Sequence, residues 1–137
     1  MRNFTNLKDI PTKDLRKILN DAKKRKKKRK NFNTLDADKD QPLKGKLLIQ
    51  MYEKPSSRTR LSFHIAINQL AANSITVKTS ELHLGKGGES LVDTAKILST
   101  YGDAFLLRTN SDKKIEDFSK NLTIPLINLL SPSSHPC

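Results

Sequence analysis

The apolar residues of this chain alternate between short continuous runs and longer segments with helical spacing. Each short run is largely aliphatic and is bounded by polar or turn-forming residues, which is typical of strands buried in a sheet. Four strands are predicted in this way, at residues 46–52, 74–78, 103–108 and 124–130. Between these runs the apolar residues recur with a helical period, which predicts helices at residues 59–72, 89–102 and 113–120.

The helix predicted at residues 59–72 has one apolar face. Its apolar residues recur at i, i+3, i+4, i+7 and i+8, and we expect this face to be buried. The face consists of Phe63, Ala66, Ile67, Leu70 and Ala71. Asn73 follows directly and is predicted to cap the end of the helix.

The segment before the first strand has the pattern of an amphipathic helix. Thr12 is its predicted N-cap, and Asp14 lies in the first turn, where negative charge is favourable. An apolar stripe follows, formed by Leu15, Ile18, Leu19 and Ala22. This helix would carry a run of eight basic residues, 23–30, in its last turns.

The order of these elements is β-α-β-α-β-α-β after one leading helix, which predicts an α/β fold. Single helices between strands favour a four-stranded parallel sheet with right-handed crossovers and helices on both faces. In such sheets ligands bind outside the carboxyl ends of the strands. The residues that follow each strand are therefore the candidates for a site.

The octapeptide from Glu53 to Arg60, EKPSSRTR, joins the first strand to the next helix. We call it the cradle. It places hydroxyl groups and guanidinium groups beside the unpaired amides and the positive dipole end of a helix. The candidate phosphate ligands are Ser56, Ser57, Arg58 and Thr59, and Arg60 could brace the turn. The alternative is that these residues only cap the helix and pair with acidic side chains.

Three further segments follow the other strands. A glycine-rich loop, residues 79–88, contains His83, and Arg108 ends the third strand. The last strand is followed by residues 133–137, which include His135, Pro136 and Cys137. Because the strands are predicted to be parallel, all these residues should lie at the edge that also holds the cradle.

The length and composition limit the class of protein. A chain of 137 residues is most simply one domain, and its single cysteine, Cys137, rules out an internal disulfide and favours a reduced cytoplasm. No apolar run approaches the roughly 20 residues of a membrane span, so no membrane partner is expected.

The net charge of +12 is the strongest compositional signal, and it indicates an anionic partner. Much of it comes from residues 23–30, which we interpret as a solvated helix end. A nucleic-acid-binding module acting through this run is the alternative. The absence of a recognised binding motif and the scarcity of aromatic residues argue against nucleic acid.

The motifs at the predicted edge resemble those of the aspartate and ornithine carbamoyltransferase family. The resemblance covers essentially the whole chain and favours the ornithine branch in order and spacing. The matching segments are residues 53–63 (EKPSSRTRLSF), 82–85 (LHLG), 88–96 (GESLVDTAK), 103–108 (DAFLLR) and 135–137 (HPC). Two departures are Ser57, where the family usually has Thr, and one additional glycine in the loop at residues 79–88.

The resemblance implies roles for the candidate residues. Ser56, Ser57, Arg58 and Thr59 would hold the phosphate of carbamoyl phosphate. Arg108 and His135 would polarise the carbamoyl oxygen as catalytic residues, with Pro136 and Cys137 completing the substrate site. The ornithine branch of the family transfers the carbamoyl group to the side-chain amine of ornithine, giving citrulline and phosphate, and needs neither a metal nor an organic cofactor.

The resemblance also predicts how the chain is organised. Family members are homotrimers in which the loop equivalent to residues 79–88 reaches a neighbouring subunit, which makes His83 the candidate contributed across the interface. Residues 1–137 would form the carbamoyl-phosphate-binding domain, and the second, ornithine-binding domain would be absent. We therefore expect little or no activity from the chain alone. Another carbamoyltransferase, such as an aspartate enzyme, or a non-catalytic remnant remains an alternative.

Overall fold

The computed structural model describes residues 3–79, 88 and 90–136. The described chain forms a parallel sheet and four α-helices, after a short 3₁₀ turn at Leu7–Asp9. The helices are α1 (Thr12–Lys28), α2 (Ser57–Gln69), α3 (Leu91–Tyr101) and α4 (Asp112–Asn121). The strands are β1 (Leu47–Tyr52), β2 (Asn73–Val77), β3 (Ala104–Arg108) and β4 (Leu126–Leu130).

The four strands pair in the order β2-β1-β3-β4, and every pairing is parallel. The predicted α/β fold with one leading helix is confirmed. The chain leaves β1 toward β2 on one side, and the next strand, β3, is placed on the other side of β1. The connections that follow β1 and β3 therefore run in opposite directions. Where this happens in a parallel sheet, a crevice forms between the two strands at their carboxyl ends.

Helices cover both faces of the sheet, as predicted. On one face α3 and α4 pack against the strands, and the rings of Phe105 and Phe118 lie 5.1 Å apart. On the other face α2 contributes Ile67 to a smaller core with Leu48 and Leu106. Burying each large apolar side chain contributes about 1.5–3 kcal/mol, so these two cores hold the layers together.

The register between β1 and β3 decides what faces α2. Tyr52 pairs with Arg108 at the carboxyl ends of the two strands. Side chains alternate between faces along a strand, so both residues share the face of Leu48 and Leu106, which pack toward α2. Arg108 is thereby directed toward the amino end of α2.

Two predicted helix caps differ from the structure. Asn73 is the first residue of β2, because its backbone N–H donates to the carbonyl of Lys46 at 2.9 Å and joins the sheet. The chain turns out of α2 through Ala71, which has a φ of 65°. Thr12 lies inside α1, and Pro11 precedes the helix without a side-chain cap.

The apolar face of α2 is less buried than predicted, and the apolar stripe of α1 is largely exposed. In α2 only Ile67 is buried, while Ala66 is exposed. No residue of α1 is buried, and Ile18 and Leu19 are 50% and 59% exposed. The periodicity correctly predicted the helices, but the described part of the chain provides no layer that covers the stripe of α1.

Ion pairs near the end of α1 attach it to the remainder of the domain. Arg25 contacts Asp38 at 2.7 Å, and Arg29 contacts the other oxygen of the same carboxylate at 2.6 Å. The backbone N–H of Asp38 in turn donates to the carbonyl of Gln69, the last residue of α2, at 2.7 Å. A helix with no buried side chain is therefore held by charge pairing near its carboxyl end.

These contacts divide the basic run by residue type. The arginines, Arg25 and Arg29, are half-buried against carboxylates, while every lysine of the run is exposed. Arg25 also pairs with Asp21 and Asp40. Part of the charge that suggested a polyanion partner is therefore neutralised within the domain. None of the described helices combines the length and apolar composition that a membrane crossing needs.

Replacing Asp38 by Asn should lower the free energy of unfolding by about 2 kcal/mol, because removal of one partner leaves Arg29 half-buried without its carboxylate. Urea denaturation measures this loss. The matched control is Asp9→Asn, an exposed carboxylate that forms no ion pair among the described residues. An equal loss in both variants would contradict the importance of the ion pairs.

The same pair should make stability depend on pH. Burial raises the pKa of the Asp38 carboxyl, but the hydrogen bonds and charges of Arg29 and Arg25 outweigh burial and hold that pKa below its usual value. The stabilisation that the charged Asp38 contributes is fully present above the unfolded-state pKa of about 3.9. It is lost as the pH falls through the lower folded-state pKa. The difference in the free energy of unfolding between the wild type and Asp38→Asn should therefore decrease only at acidic pH.

Candidate anion-binding site

The cradle lies where β1 passes into α2. Ser56 precedes the helix in an extended conformation, with φ −155° and ψ 99°, and its side chain does not cap the first turn. The first amides of a helix have no partner within the helix and carry the positive end of its dipole. The amino end of α2 is therefore open to an anion on the side of Ser57 and Arg58, both of which are exposed.

Arg108 connects β3 to this helix end. Its Nη1 donates to Ser56 Oγ at 2.9 Å and to Thr59 Oγ1 at 3.1 Å. Its Nε is buried and has no hydrogen-bond partner among the described residues. A guanidinium and two hydroxyl groups are thus assembled at one helix terminus, and a buried donor remains for an acceptor.

Glu53 is held on the α4 side of the cradle. Its carboxylate accepts a hydrogen bond from Thr109 Oγ1 and forms an ion pair with Lys114 Nζ at 2.5 Å. Burial raises the pKa of this carboxyl, but the contacts with Lys114 and Thr109 outweigh burial and hold the pKa below its usual value. The negative charge in the cradle is therefore fixed and locally neutralised.

A groove of about 920 Å³ opens beside the cradle. Its lining includes Tyr52, Ser56, Ser57 and Arg60, together with His64 from the second turn of α2. The Tyr52 hydroxyl donates to Gln50 Oε1 at 2.8 Å. Because a polar groove adjoins the open helix end, a ligand held by the cradle can extend beyond its phosphate-sized part.

The predicted site residues are only partly brought together. Ser56, Thr59 and Arg108 are in contact, and Ser57 and Arg58 lie on the same helix turn. His135 is exposed and follows β4 at the same edge, without a hydrogen bond to the cradle. Pro136 is half-buried beside it. Cys137 and His83 lie outside the described residues.

The loop that carries His135 is anchored near its base. The Ser131 and Ser134 backbones bond to each other, and the Asn128 side chain donates to Ser131 Oγ at 3.1 Å. The Ser133 amide donates to Asp112 Oδ1 at 3.2 Å. These contacts fix where the loop leaves the sheet, so His135 is delivered to the carboxyl edge.

A second cavity, of about 420 Å³, lies at the carboxyl end of α1, far along the chain from the cradle. Its carboxylates, from Asp21, Asp38 and Asp40, are already paired with Arg25. Among the described residues no group of three His, Cys, Asp or Glu side chains is arranged to hold a metal ion. The cradle is therefore the better candidate site.

Residues 2–137 match a protein family described as aspartate/ornithine carbamoyltransferase, carbamoyl-P binding domain. The match spans the cradle, Arg108 and His135. The chain belongs to this carbamoyltransferase family.

Curated and solved relatives agree with this membership. The ornithine carbamoyltransferase of Mesorhizobium japonicum is 39% identical over the whole chain, which covers 43% of that protein. A solved ornithine carbamoyltransferase from Pyrococcus furiosus is 37% identical with a TM-score of 0.88, over 99% of this chain and 42% of that one. The catalytic subunit of M. jannaschii aspartate transcarbamoylase is 31% identical with a TM-score of 0.81, and the match covers 99% of this chain and 43% of that one. The chain thus spans less than half the length of these relatives.

The carbamoyltransferase domain also contains polar contacts that the sequence did not predict. Thr109 and Lys114 contact Glu53, and Gln50 accepts from Tyr52. A carboxylate directly after a buried strand was the available signal for Glu53. Its partners follow β3 and lie on α4, so only the strand order could identify them.

The environment of Tyr52 gives a testable titration. Burial raises the pKa of Tyr52 to about 12, although the positive charges of Arg60 and Arg108 oppose this. Because the chain has two tyrosines, a Tyr101→Phe variant reports Tyr52 alone by ultraviolet absorbance. Its phenol should stay largely protonated when folded at a pH where the urea-unfolded variant, with an ordinary pKa of about 10, is ionised. Titration near 10 in the folded state would contradict this burial.

Proposed function

We propose that this chain binds carbamoyl phosphate in the cradle and forms the carbamoyl-phosphate-binding half of an ornithine carbamoyltransferase. The observation that carries the proposal is the contact of Arg108 with Ser56 and Thr59 at the open end of α2. It joins a helix terminus suited to a phosphate with a guanidinium suited to the adjoining carbonyl. Family membership and the ornithine carbamoyltransferases among the relatives support the same substrate.

The phosphate is assigned to the amino end of α2. Ser57, Arg58 and Thr59 present their amides, two hydroxyl groups and one guanidinium there, and Ser56 adds a third hydroxyl. A guanidinium can bind two phosphate oxygens at once, and helix amides add short donors without any metal. Arg58 is exposed and has no ion pair among the described residues, so its charge is available to the ligand.

The carbamoyl group is assigned to the side of Arg108 and His135. In the transfer the acceptor nitrogen attacks the carbamoyl carbon and forms a C–N bond. The C–O bond to phosphate then breaks, phosphate leaves with the electron pair, and the nitrogen loses a proton. Negative charge grows on the carbamoyl oxygen during the attack, so Arg108 and His135 stabilise the transition state more than the substrate.

The acceptor is proposed to be the side-chain amine of ornithine. Curated ornithine carbamoyltransferases at 38–40% identity support this. Among solved structures, ornithine carbamoyltransferases are 23–37% identical and an aspartate transcarbamoylase is 31% identical. Ornithine-binding residues belong to the family's second domain, so the acceptor is proposed from the relatives and not from residues of this chain. A homotrimer with His83 reaching a neighbouring site is proposed on the same resemblance, and a cytoplasmic location is proposed from the single cysteine, Cys137.

Calorimetry with carbamoyl phosphate tests the binding role. The wild-type chain should release heat on binding, and Arg58→Ala should weaken affinity at least about tenfold, because hydrogen bonds to charged groups contribute about 1.5–3 kcal/mol. Arg16→Ala removes an exposed arginine of α1 and serves as the matched control, with affinity unchanged. A folded wild type that does not bind, or equal losses in both variants, would refute the cradle assignment.

Citrulline formation tests the division of labour. The 137-residue chain, supplied with carbamoyl phosphate and ornithine, should form little or no citrulline, because fixing only one reactant forfeits the proximity that two bound reactants provide. A colorimetric citrulline assay measures this, with a two-domain ornithine carbamoyltransferase as the positive control. Rapid turnover by the chain itself would show that the acceptor site lies within these residues.

A further inference from the structure

The cradle contains one carboxylate among several cationic groups, which poses a problem for anion binding. Glu53 lies five positions before Arg58, and its own backbone N–H bonds to the carbonyl of Arg108 at 2.9 Å. A free carboxylate at this position would compete with a bound phosphate for the same guanidinium groups. Bidentate pairs of arginine with carboxylate and with phosphate have the same geometry.

We propose that Lys114 and Thr109 sequester the Glu53 carboxylate and thereby keep Arg58 and Arg108 available to the ligand. The inference rests on the proposed carbamoyl-phosphate site and adds positioning residues to it. We call Glu53, Thr109 and Lys114 the Glu53 clamp. Lys114 acts through Glu53 and has no assigned contact with the substrate.

The contacts of Arg108 and the contacts of Glu53 are directed toward opposite faces of the sheet. Tyr52 and Arg108 share the α2 face at the end of the sheet. The next residues, Glu53 and Thr109, contact each other beyond the strand ends, with Lys114 of α4 on the opposite face. Glu53 is therefore drawn toward α4, while Arg108 is drawn toward the hydroxyls of α2.

Other contacts fix the donors of the clamp. Thr109 Oγ1 accepts the backbone N–H of Ser111 at 3.2 Å, which leaves its hydroxyl proton to donate to Glu53. Ser111 in turn caps α4 by accepting the N–H of Lys114 at 3.2 Å. The amino end of α4 thus positions the backbone of Lys114 and the hydroxyl of Thr109 together.

The burial of the pair gives it strength. The side chain of Glu53 is 10% exposed and that of Lys114 is 37% exposed, so solvent screens their attraction only partly. If Lys114 is lost, Glu53 keeps its charge in a poorly solvated position and requires another cation. The nearby cations are Lys54, Arg58 and Arg60 of the cradle, together with Arg108, whose carbonyl accepts the Glu53 backbone N–H.

The test measures carbamoyl-phosphate affinity by calorimetry in a set of variants of the 137-residue chain. Lys114→Met should weaken binding about tenfold, because the released carboxylate competes for the arginines. Glu53→Gln in the same chain removes the competitor, so Glu53→Gln/Lys114→Met should bind several-fold more tightly than Lys114→Met alone. Lys114→Arg keeps the cation and should bind within about twofold of the wild type.

Lys113→Met is the matched control. Lys113 adjoins Lys114 on α4 but pairs with Asp117 at 3.3 Å, away from the cradle, so its loss should leave affinity unchanged. Thermal denaturation of every variant identifies a temperature at which all are folded, and affinities are compared there. An NMR signal of the Arg108 Nε–H should shift in ligand-free Lys114→Met and return in the double variant.

The outcomes are distinct. Weak binding by Lys114→Met that Glu53→Gln relieves, with the matching NMR shift, supports sequestration. Affinity of Lys114→Met equal to that of the wild type, or a double variant no better than Lys114→Met, overturns the inference while leaving carbamoyl-phosphate binding intact. A folded wild type with no affinity for carbamoyl phosphate instead refutes the proposed function itself.

Discussion

The candidate site depends on the side-by-side pairing of β1 with β3. This pairing sets Tyr52 opposite Arg108 and turns the guanidinium toward the amino end of α2, where it bonds to Ser56 and Thr59. It also brings Glu53 to Thr109. Residues 49 to 56 positions apart in the chain therefore form one cluster, because parallel strands align their carboxyl ends. The two apolar cores matter to function mainly because they fix this register.

Separation of charge is the second organising feature. The chain is strongly basic, yet its partly buried carboxylates at Asp38 and Glu53 are each paired with specific cations. Near α1 these pairs attach an otherwise exposed helix, and at the cradle they hold a negative charge to one side. Arg58 and Arg108 form no ion pair within the described part of the chain. The net charge of the domain is thus less informative than the positions of its few carboxylates.

The sequence predicted the elements more accurately than their surroundings. All four strands and the four helices were expected close to where they lie, since alternating apolar runs and helical periodicity are local signals. The cradle and Arg108 were also identified, because parallel strands present their following residues at one edge. Full burial of the apolar face of α2 and the cap at Asn73 were wrong. Whether a helix face finds a covering layer, or a residue joins a strand, depends on neighbours distant in the chain.

The sequence by itself determined the α/β order, the helix-terminal cradle, the motifs of the carbamoyltransferase family and the candidate residues Ser56, Ser57, Arg58, Thr59, Arg108 and His135. Only the tertiary structure decided that β3 lies beside β1, that Arg108 contacts Ser56 and Thr59, and that Glu53 is held by Thr109 and Lys114. The physical reason is the range of each interaction. Propensity and periodicity act over a few residues, whereas strand order and ion-pair partners are chosen by packing of the whole domain.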